Sequence, residues 1–330
     1  VVTGRVLVTG ATGGLGRVLV PALRELGWQV VATGRRAEAP PEWSAPGIAY
    51  RPADLACDPL QQLTDGVDTV FHLAALSAPW GKPEAFAAAN VTATQRLLDA
   101  ARVAGCPAFI HVATPSIYTE ARDRLELTEA SLLPRRWPND YARTKFAAER
   151  LVAAAASSGM ATVVLRPRAI VSPFDTVLLP RLLRAARSGT LVLPHGGRAL
   201  VELTDARDVV SALVAARTRS QALRGQAFNI SGGMPLPLGQ VAALVFRLLD
   251  RPVRIRSVPR RVALAVASVA ERVAATLPGR PEPALTRYGA MVAGWSQTFD
   301  LTAARESLDW RPHHAPQEAL AWALAGMRHA

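Results

Sequence analysis

The 330-residue chain is poor in the residues that staple, anchor or coordinate a fold. Its two cysteines, Cys57 and Cys106, are too few for a disulfide framework. The strongest apolar run, Val262 to Val269, leads into Glu271 and Arg272 and is too short to span a bilayer. It leaves at most a peripheral contact with a membrane surface. Metal-ligand spacing is missing: His72 and His111 lie in strand-like runs, and His313-His314 lack nearby cysteine or acid ligands at a convincing spacing, so no metal is expected. Lysine is scarce as well, since only Lys82 and Lys145 of the 38 basic residues are lysine. The formal charge of +12 invites a nucleic-acid reading. Yet the arginines are scattered along the chain and no finger, ribbon or helix-turn-helix spacing appears, so no nucleic-acid partner is expected. Val1 to Arg5 runs straight into a strand and leaves no room for a leader, which predicts a cytoplasmic protein. Arginine in place of lysine, with abundant alanine, points to a high-GC bacterial source.

What is present is a folding sequence, half hydrophobic and 19% charged. Short apolar runs at Val6–Val8, Val30–Ala32, Ile48–Tyr50, Val70–Leu73, Phe109–Val112 and Ala161–Leu165 read as strands. Between them, Leu15–Leu26, Ala85–Ala104 and Tyr141–Ser157 carry apolar residues at helical spacing. This alternation predicts an α/β fold with a Rossmann-type, doubly wound parallel sheet. After Arg166-Pro167 the rhythm changes to helices at Val177–Arg187, Asp208–Ala216, Leu238–Leu249, Val262–Leu277 and Pro316–Leu324, with strands at Leu191–Leu193 and Ala227–Ile230. The expected division is a dinucleotide-binding domain over 1–166, a substrate-lobe segment over 167–203, a return to the main domain over 204–230, and a smaller, helix-rich C-terminal substrate lobe over 231–330.

Gly10-Ala11-Thr12-Gly13-Gly14-Leu15-Gly16 sits between the first strand and the first helix. Glycines at 10, 13 and 16 permit a tight turn, close approach of a pyrophosphate and close helix packing, while the helix start offers N–H groups to phosphates. A dinucleotide is the implied ligand. At the end of the second strand, Ala32-Thr33-Gly34-Arg35-Arg36 has no acid to accept ribose hydroxyls and two arginines able to meet a 2'-phosphate. This favours NADP(H), with NAD(H) possible and both arginines reaching solvent as the plain alternative.

With Asp54-Leu55, His72-Leu73-Ala74-Ala75, Asn90-Val91, Thr114 to Tyr118, Tyr141 to Lys145, Arg166-Pro167 and Phe299-Asp300, the chain resembles the extended short-chain dehydrogenase/reductase family. The resemblance implies that the cofactor lies against Gly10, Thr12, Gly13, Gly14, Leu15 and Gly16. It places Asp54 on the adenine amino group with Leu55 beside it, and Leu73, Ala74 and Ala75 along the cofactor. Asn90, Val112, Tyr141, Lys145 and Pro167 complete that implied set. Many relatives pair through the helices near 85–105 and 141–158, where Ala147, Ala148 and Ala153 to Ala156 would allow close approach, so a homodimer is expected.

Tyr141 and Lys145 are four apart, hence on one helical face. A nearby ammonium favours phenolate and is expected to lower the tyrosine pKa. A compact ammonium in a chain that otherwise chooses arginine looks functionally demanded. Thr114, four residues before Tyr118, is the implied hydrogen-bond donor to a substrate carbonyl, with Ser116 as the alternative. Asn90 is the implied helix asparagine that holds backbone or a water near the site, a plain structural role being equally compatible.

Sugar dehydratases resembling this family carry an acid pair after the threonine, and this chain has Pro115-Ser116 there. The resemblance is closest to 3β-hydroxysteroid dehydrogenases and 2-alkyl-3-ketoalkanoate reductases. It implies interconversion of a ketone and a secondary alcohol on a hydrophobic steroid-like, acyl or polyketide-derived substrate. A nucleotide-sugar epimerase, a reductase of lignan- or flavonoid-like ketones and an inactive cofactor-binding relative are the alternatives. Leu178-Leu179-Pro180, Leu182-Leu183 and the Val262–Leu277 helix are candidates to border an apolar cleft, with Arg168, Arg184, Arg187 and Arg287 as candidates to meet an anion, and His195 as a possible lining residue.

Overall fold

The computed structural model describes residues 4–327, so Val1 to Thr3, read above as the lead-in to the first strand, lie outside the described residues. Strand β1 (Arg5–Thr9) is followed by helix α1 (Gly16–Glu25), β2 (Gln29–Thr33), β3 (Ile48–Tyr50), the short α2 (Gln61–Thr64) and β4 (Thr69–His72). Next come α3 (Pro83–Phe86), a π-helical stretch over Ala87–Thr92, α4 (Ala93–Val103), β5 (Ala108–Val112), β6 (Arg124–Leu127), α5 (Asp140–Ala155) and β7 (Ala161–Pro167). The second half holds β8 (Ile170–Val171), α6 (Leu178–Ala185), β9 (Thr190–Pro194), β10 (Leu200–Val201), β11 (Thr204–Asp205), α7 (Ala206–Thr218) and β12 (Gln226–Ile230). Then follow β13 (Leu236–Pro237), α8 (Leu238–Leu248), β14 (Arg254–Val258), α9 (Arg260–Thr276), α10 (Arg287–Gly294), β15 (Gln297–Phe299), α11 (Thr302–Ser307) and α12 (Pro316–Met327).

Seven strands form one parallel sheet in the order β12-β7-β5-β4-β1-β2-β3. Alternate residues of a strand point to opposite faces. Accordingly Val6 and Val8 of β1 join α1 and α7 in one core, whereas Leu7 joins α4 and α5 in the other. Both faces are covered, which is why the inner strands read as unbroken apolar runs. Chain order reverses between β1 and β4, so the crevice at the carboxyl ends of these two strands is where a doubly wound sheet takes its ligand.

A separate core joins Leu179 of α6, Val241 and Val245 of α8, and Leu320 and Leu324 of α12. Leu178, Leu182 and Leu183 are partly buried and pack against the lobe's cores. The amphipathic α6 spends its apolar stripe on neighbouring helices. By contrast, Val262, Val266, Val269 and Val273 of α9 face outward. Two pairings tie the lobe to the sheet domain: β15 runs parallel to β6, and β12 returns beside β7. No helix of the described residues is long and apolar enough to cross a membrane.

The expected single helix over Ala85–Ala104 is interrupted by the π-helical stretch that contains Asn90. Such a stretch widens the turn and re-aims one side chain.

Candidate active site

The β1–α1 loop is shaped by what its glycines leave out. Gly10 adopts φ +64°, and a Cβ there would lie 2.7 Å from the Ala74 nitrogen. At Gly16 a Cβ would meet the Ala11 carbonyl at 2.4 Å, so α1 closes on the strand only without a side chain. Gly13 N–H donates to the Gly10 carbonyl at 3.0 Å, and the Thr9 hydroxyl accepts from the Ala74 N–H at 3.2 Å. Helix α1 starts after Leu15 with no side-chain cap and no acid in its first turn. An uncapped helix start behind a glycine cradle suits an anion.

Thr12 lies beside Gly34, whose absent Cβ would meet the Thr12 hydroxyl at 2.9 Å. Arg35 and Arg36 are exposed at the end of β2, in a turn held by the Tyr50 hydroxyl, which donates to the Arg36 carbonyl at 2.6 Å. Asp54 uses one carboxylate oxygen to accept the Ala56 N–H at 2.9 Å, and Leu55 is buried in the core beside it. Leu73, Ala74 and Ala75 leave the carboxyl end of β4, while Val112 and Pro167 end β5 and β7. All of these positions share one edge of the sheet, and together with the side-chain-free cradle they fit a dinucleotide.

Helix α5 starts on Asn139, whose side chain accepts from the Ala142 N–H at 2.9 Å and donates to the Pro79 carbonyl at 3.3 Å. That cap aims Tyr141 at the site. Its hydroxyl lies near the side chains of Thr114 and Ser77, both of which act to lower its pKa. Thr114 caps the turn after β5, accepting the Ser116 N–H at 3.2 Å and donating to the Ser116 hydroxyl at 3.0 Å. Ser116 in turn shares a 2.6 Å hydrogen bond with the Tyr288 hydroxyl of α10. The two hydroxyl candidates are therefore both in the cluster, Thr114 against Tyr141 and Ser116 against Tyr288.

The expected effect of Lys145 on Tyr141 is corrected. Burial raises the Tyr141 pKa, against the lowering from Thr114 and Ser77. Lys145, only 2% exposed, instead donates to the Val112 carbonyl at 2.6 Å and lies 3.5 Å from His111 Nε2. Burial lowers its own pKa to about 7, opposed by the Glu149 carboxylate. The rings of His111 and His72 stack with centroids 5.1 Å apart. Burial, then the Lys145 charge, pushes His72 down to about 3 and His111 well below its ordinary value, so both rings are neutral.

Asn90 is 1% exposed and spends its amide on its neighbours. Its Oδ1 accepts the Leu76 N–H at 2.7 Å, and its Nδ2 donates to the Thr144 hydroxyl at 2.9 Å and the Leu76 carbonyl at 3.3 Å. It ties the loop after β4 to α5 and so acts as a positioning residue. Ser77 and Tyr288 carried no role in the sequence analysis. The available signal for Tyr288 was its rarity, since the chain has four tyrosines.

The profile of the NAD dependent epimerase/dehydratase family matches residues 6–231. The chain is 33% identical to the 2-alkyl-3-oxoalkanoate reductase of Stenotrophomonas maltophilia, covering 96% of this chain and 97% of that protein. It is 31% identical to a 4-hydroxy-2-methyl-3-oxo-4-farnesyl-3,4-dihydroquinoline-1-oxide ketoreductase of Stigmatella aurantiaca, covering 96% and 94% respectively. Among solved structures, MoeE5 in complex with UDP-glucuronic acid and NAD superimposes with a TM-score of 0.76 at 27% identity, over 99% of each chain. The fold, the glycine cradle with its tyrosine and lysine, and these relatives agree: the chain belongs to the NAD-dependent epimerase/dehydratase family, the extended short-chain dehydrogenases/reductases, and is similar to its ketone-reducing branch.

Proposed function

We propose that the protein reduces a ketone on a hydrophobic acyl, polyketide-derived or steroid-like substrate to the secondary alcohol, with NADPH as the preferred reductant. The observation that carries the reading is the hydroxyl row at the carboxyl edge of the sheet, Tyr141 to Thr114 to Ser116 to Tyr288, with Lys145 one helical turn behind Tyr141. The near full-length similarity to two ketone reductases supports it.

Gly10, Thr12, Gly13, Gly14, Leu15 and Gly16 would hold the pyrophosphate, Asp54 and Leu55 the adenine, and Leu73, Ala74 and Ala75 the middle of the cofactor. Val112, Pro167, Tyr141 and Lys145 border the nicotinamide side. Arg35 and Arg36, exposed where the strand end has no acid, would meet a 2'-phosphate. When bound, the reduced cofactor supplies hydride to the carbonyl carbon.

Tyr141 gives its hydroxyl proton to the substrate oxygen. Burial keeps the phenol protonated at neutral pH, the state a general acid needs in the reductive direction. Thr114 orients the carbonyl through its hydroxyl, and Asn90 keeps the loop after β4 and helix α5 in register. Lys145, with a pKa of about 7, holds the end of β5 through the Val112 carbonyl. The substrate is taken between this edge and a lobe built from about 167–203 and 231–330. Two copies pair through the faces near 85–105 and 141–158, and two unpaired thiols suit a reducing compartment.

The test is a matched assay with NADPH and NADH against a 3-oxoacid, a 3-ketosteroid, an aryl ketone and UDP-glucuronic acid. The expected result is NADPH consumption with a hydrophobic ketone, lost in Tyr141→Phe. Isomerisation of the nucleotide sugar without net cofactor consumption would overturn the reading.

A further inference from the structure

Helix α9 presents its apolar residues the wrong way round for a surface helix. Its inward positions are small, with Ala263, Ala267 and Ala274 buried, whereas Val262, Val266, Val269 and Val273 are each 50–57% exposed. Steps of four, three and four residues keep these valines within about 60° of one another, so they form one stripe down the helix. Leu277, 46% exposed, follows it at the end. A surface helix ordinarily buries its larger apolar side chains and gives its charges to water. Valine is also a poorer helix former than alanine, so local propensity does not account for its place on the wet face. A contiguous exposed apolar stripe marks a contact surface.

The surrounding charge says what covers it. Between Arg247 and Arg287 the chain has nine arginines against the three acids Asp250, Glu271 and Glu282, so this segment alone carries +6 of the formal +12. Two of the four charged residues of α9 are engaged: Arg260 pairs with Asp123 at 3.0 Å, and Glu271 accepts the Arg287 N–H at 2.7 Å. Glu282 is held by Arg181 at 3.2 Å. The other two, Arg261 and Arg272, are exposed, and among the described residues their side chains make no hydrogen bond or ion pair. Eleven residues apart, they stand one above the other along one rim of the stripe. A second copy meeting this face would set +6 against +6. A nucleic acid would satisfy the arginines and leave the valines in water. An anionic bilayer offers both halves, acyl chains for the valines and headgroup anions for the arginines, whose long stems lie along apolar surface while the charge stays outside.

We infer that α9 docks the protein on an anionic lipid surface, lying in the plane of the interface with Val262, Val266, Val269 and Val273 against the acyl chains and Arg261 and Arg272 among the headgroups. The contact is peripheral, since α9 is not long and apolar enough to cross a membrane. The inference goes beyond the reductase reading and does not depend on it. The stripe also runs towards the reactive edge. Past Leu277, the Arg280 carbonyl accepts from Trp80 Nε1 at 3.0 Å, and the Arg280 guanidinium lies over the Trp80 ring. Pro79, next to Trp80, gives its carbonyl to Asn139, the cap of the helix that carries Tyr141. Docking through α9 therefore sets the loop after β4 beside the lipid.

The test is flotation of the full chain with vesicles of phosphatidylcholine alone and of phosphatidylcholine with about a third phosphatidylglycerol, at low salt and at about 0.5 M NaCl. Wild type is compared with Val266→Ser plus Val269→Ser and with Arg261→Gln plus Arg272→Gln. The control is Arg219→Gln plus Arg224→Gln, exposed residues that precede β12 and so lie at the opposite edge of the sheet. Wild type is expected to bind the anionic vesicles about 30-fold more tightly than the neutral ones, and to lose that preference in high salt. The α9 arginine pair removes the preference, the serine pair weakens anionic binding by about tenfold, and the control pair stays within about twofold of wild type. Both α9 pairs are expected to melt with wild type, because the side chains they alter are exposed. Equal binding to the two vesicles, or binding that either α9 pair leaves unchanged, would overturn the assignment. So would a serine pair that melts well below wild type, which would place the valines inside the fold. A dimer that the serine pair dissociates without lipid would give the stripe to a second copy instead. Binding of duplex DNA that needs Arg261 and Arg272 but ignores the valines would give the patch to a nucleic acid.

Discussion

The two flanks of the reactive edge treat buried polar groups in opposite ways. On the β4 flank they form a circuit from Thr9 to His72 at 2.8 Å, His72 to Thr94 at 2.9 Å, Thr94 to the Asn90 carbonyl at 2.6 Å and Asn90 to Thr144 at 2.9 Å. It links the end of the glycine-loop strand to the helix that carries Tyr141 and Lys145. On the β7 flank the buried Arg168 Nε has no hydrogen-bond partner, and the Ser116 hydroxyl bridges Thr114 and Tyr288. Buried polar groups with partners make a frame, whereas those without are where a ligand completes the structure. By that criterion the β4 flank holds the site together, and the β7 flank is where a ligand would sit.

Four variants would break or sharpen that contrast. Tyr141→Phe removes a hydroxyl on the substrate-facing side, so reductase turnover falls by roughly 10³-fold while the unfolding midpoint stays near wild type. Loss of folding instead would place Tyr141 in the frame. Asn90→Leu attacks the frame itself: stranding the Leu76 N–H and carbonyl in the interior is expected to cost about 2–4 kcal/mol in urea unfolding. A loss too small to resolve would dissolve the circuit as a structural idea.

The third concerns Lys145, whose folded pKa of about 7 lies below its ordinary value of 10.5. Between these values the unfolded chain binds a proton that the folded protein lacks, so stability rises with pH across this window and is flat below it with respect to this group. Unfolding free energies measured from pH 6 to 10 in wild type and Lys145→Met should diverge by at most about 1.4 kcal/mol per pH unit above neutrality, wild type gaining. Parallel curves would show a lysine that stays charged. The smallest expected effect is that of Arg35→Ala with Arg36→Ala, two exposed side chains. Their joint removal should shift the NADPH-to-NADH ratio of kcat/KM by about tenfold towards NADH, since two solvent-screened contacts carry modest energy. An unchanged ratio would return both arginines to solvent.

The sheet was readable because its inner strands are buried on both faces, and β1, β2, β4, β5 and β7 fall where apolar runs predicted them. Strands β6 and β15 escaped notice: Arg124–Leu127 is largely exposed and pairs with a segment remote in sequence. The π-helical stretch around Asn90 was equally hidden, since one widened turn barely alters apolar periodicity. In the site, spacing alone brought Tyr141 and Lys145 to one helix face. It could not show that Lys145 turns to the Val112 carbonyl, that Ser116 meets Tyr288, or which of 36 arginines is buried unpaired.

A ketone reductase makes a net hydride transfer to its substrate, whereas an epimerase lends a hydride and takes it back. Carbon-4 deuterated NADPH incubated with 3-oxodecanoate tells the two apart most directly. One deuterium at the new carbinol carbon per NADP+ formed, absent in Tyr141→Phe, is the predicted result. No deuterium in any product, together with interconversion of UDP-glucuronic acid at constant NADPH, would contradict it.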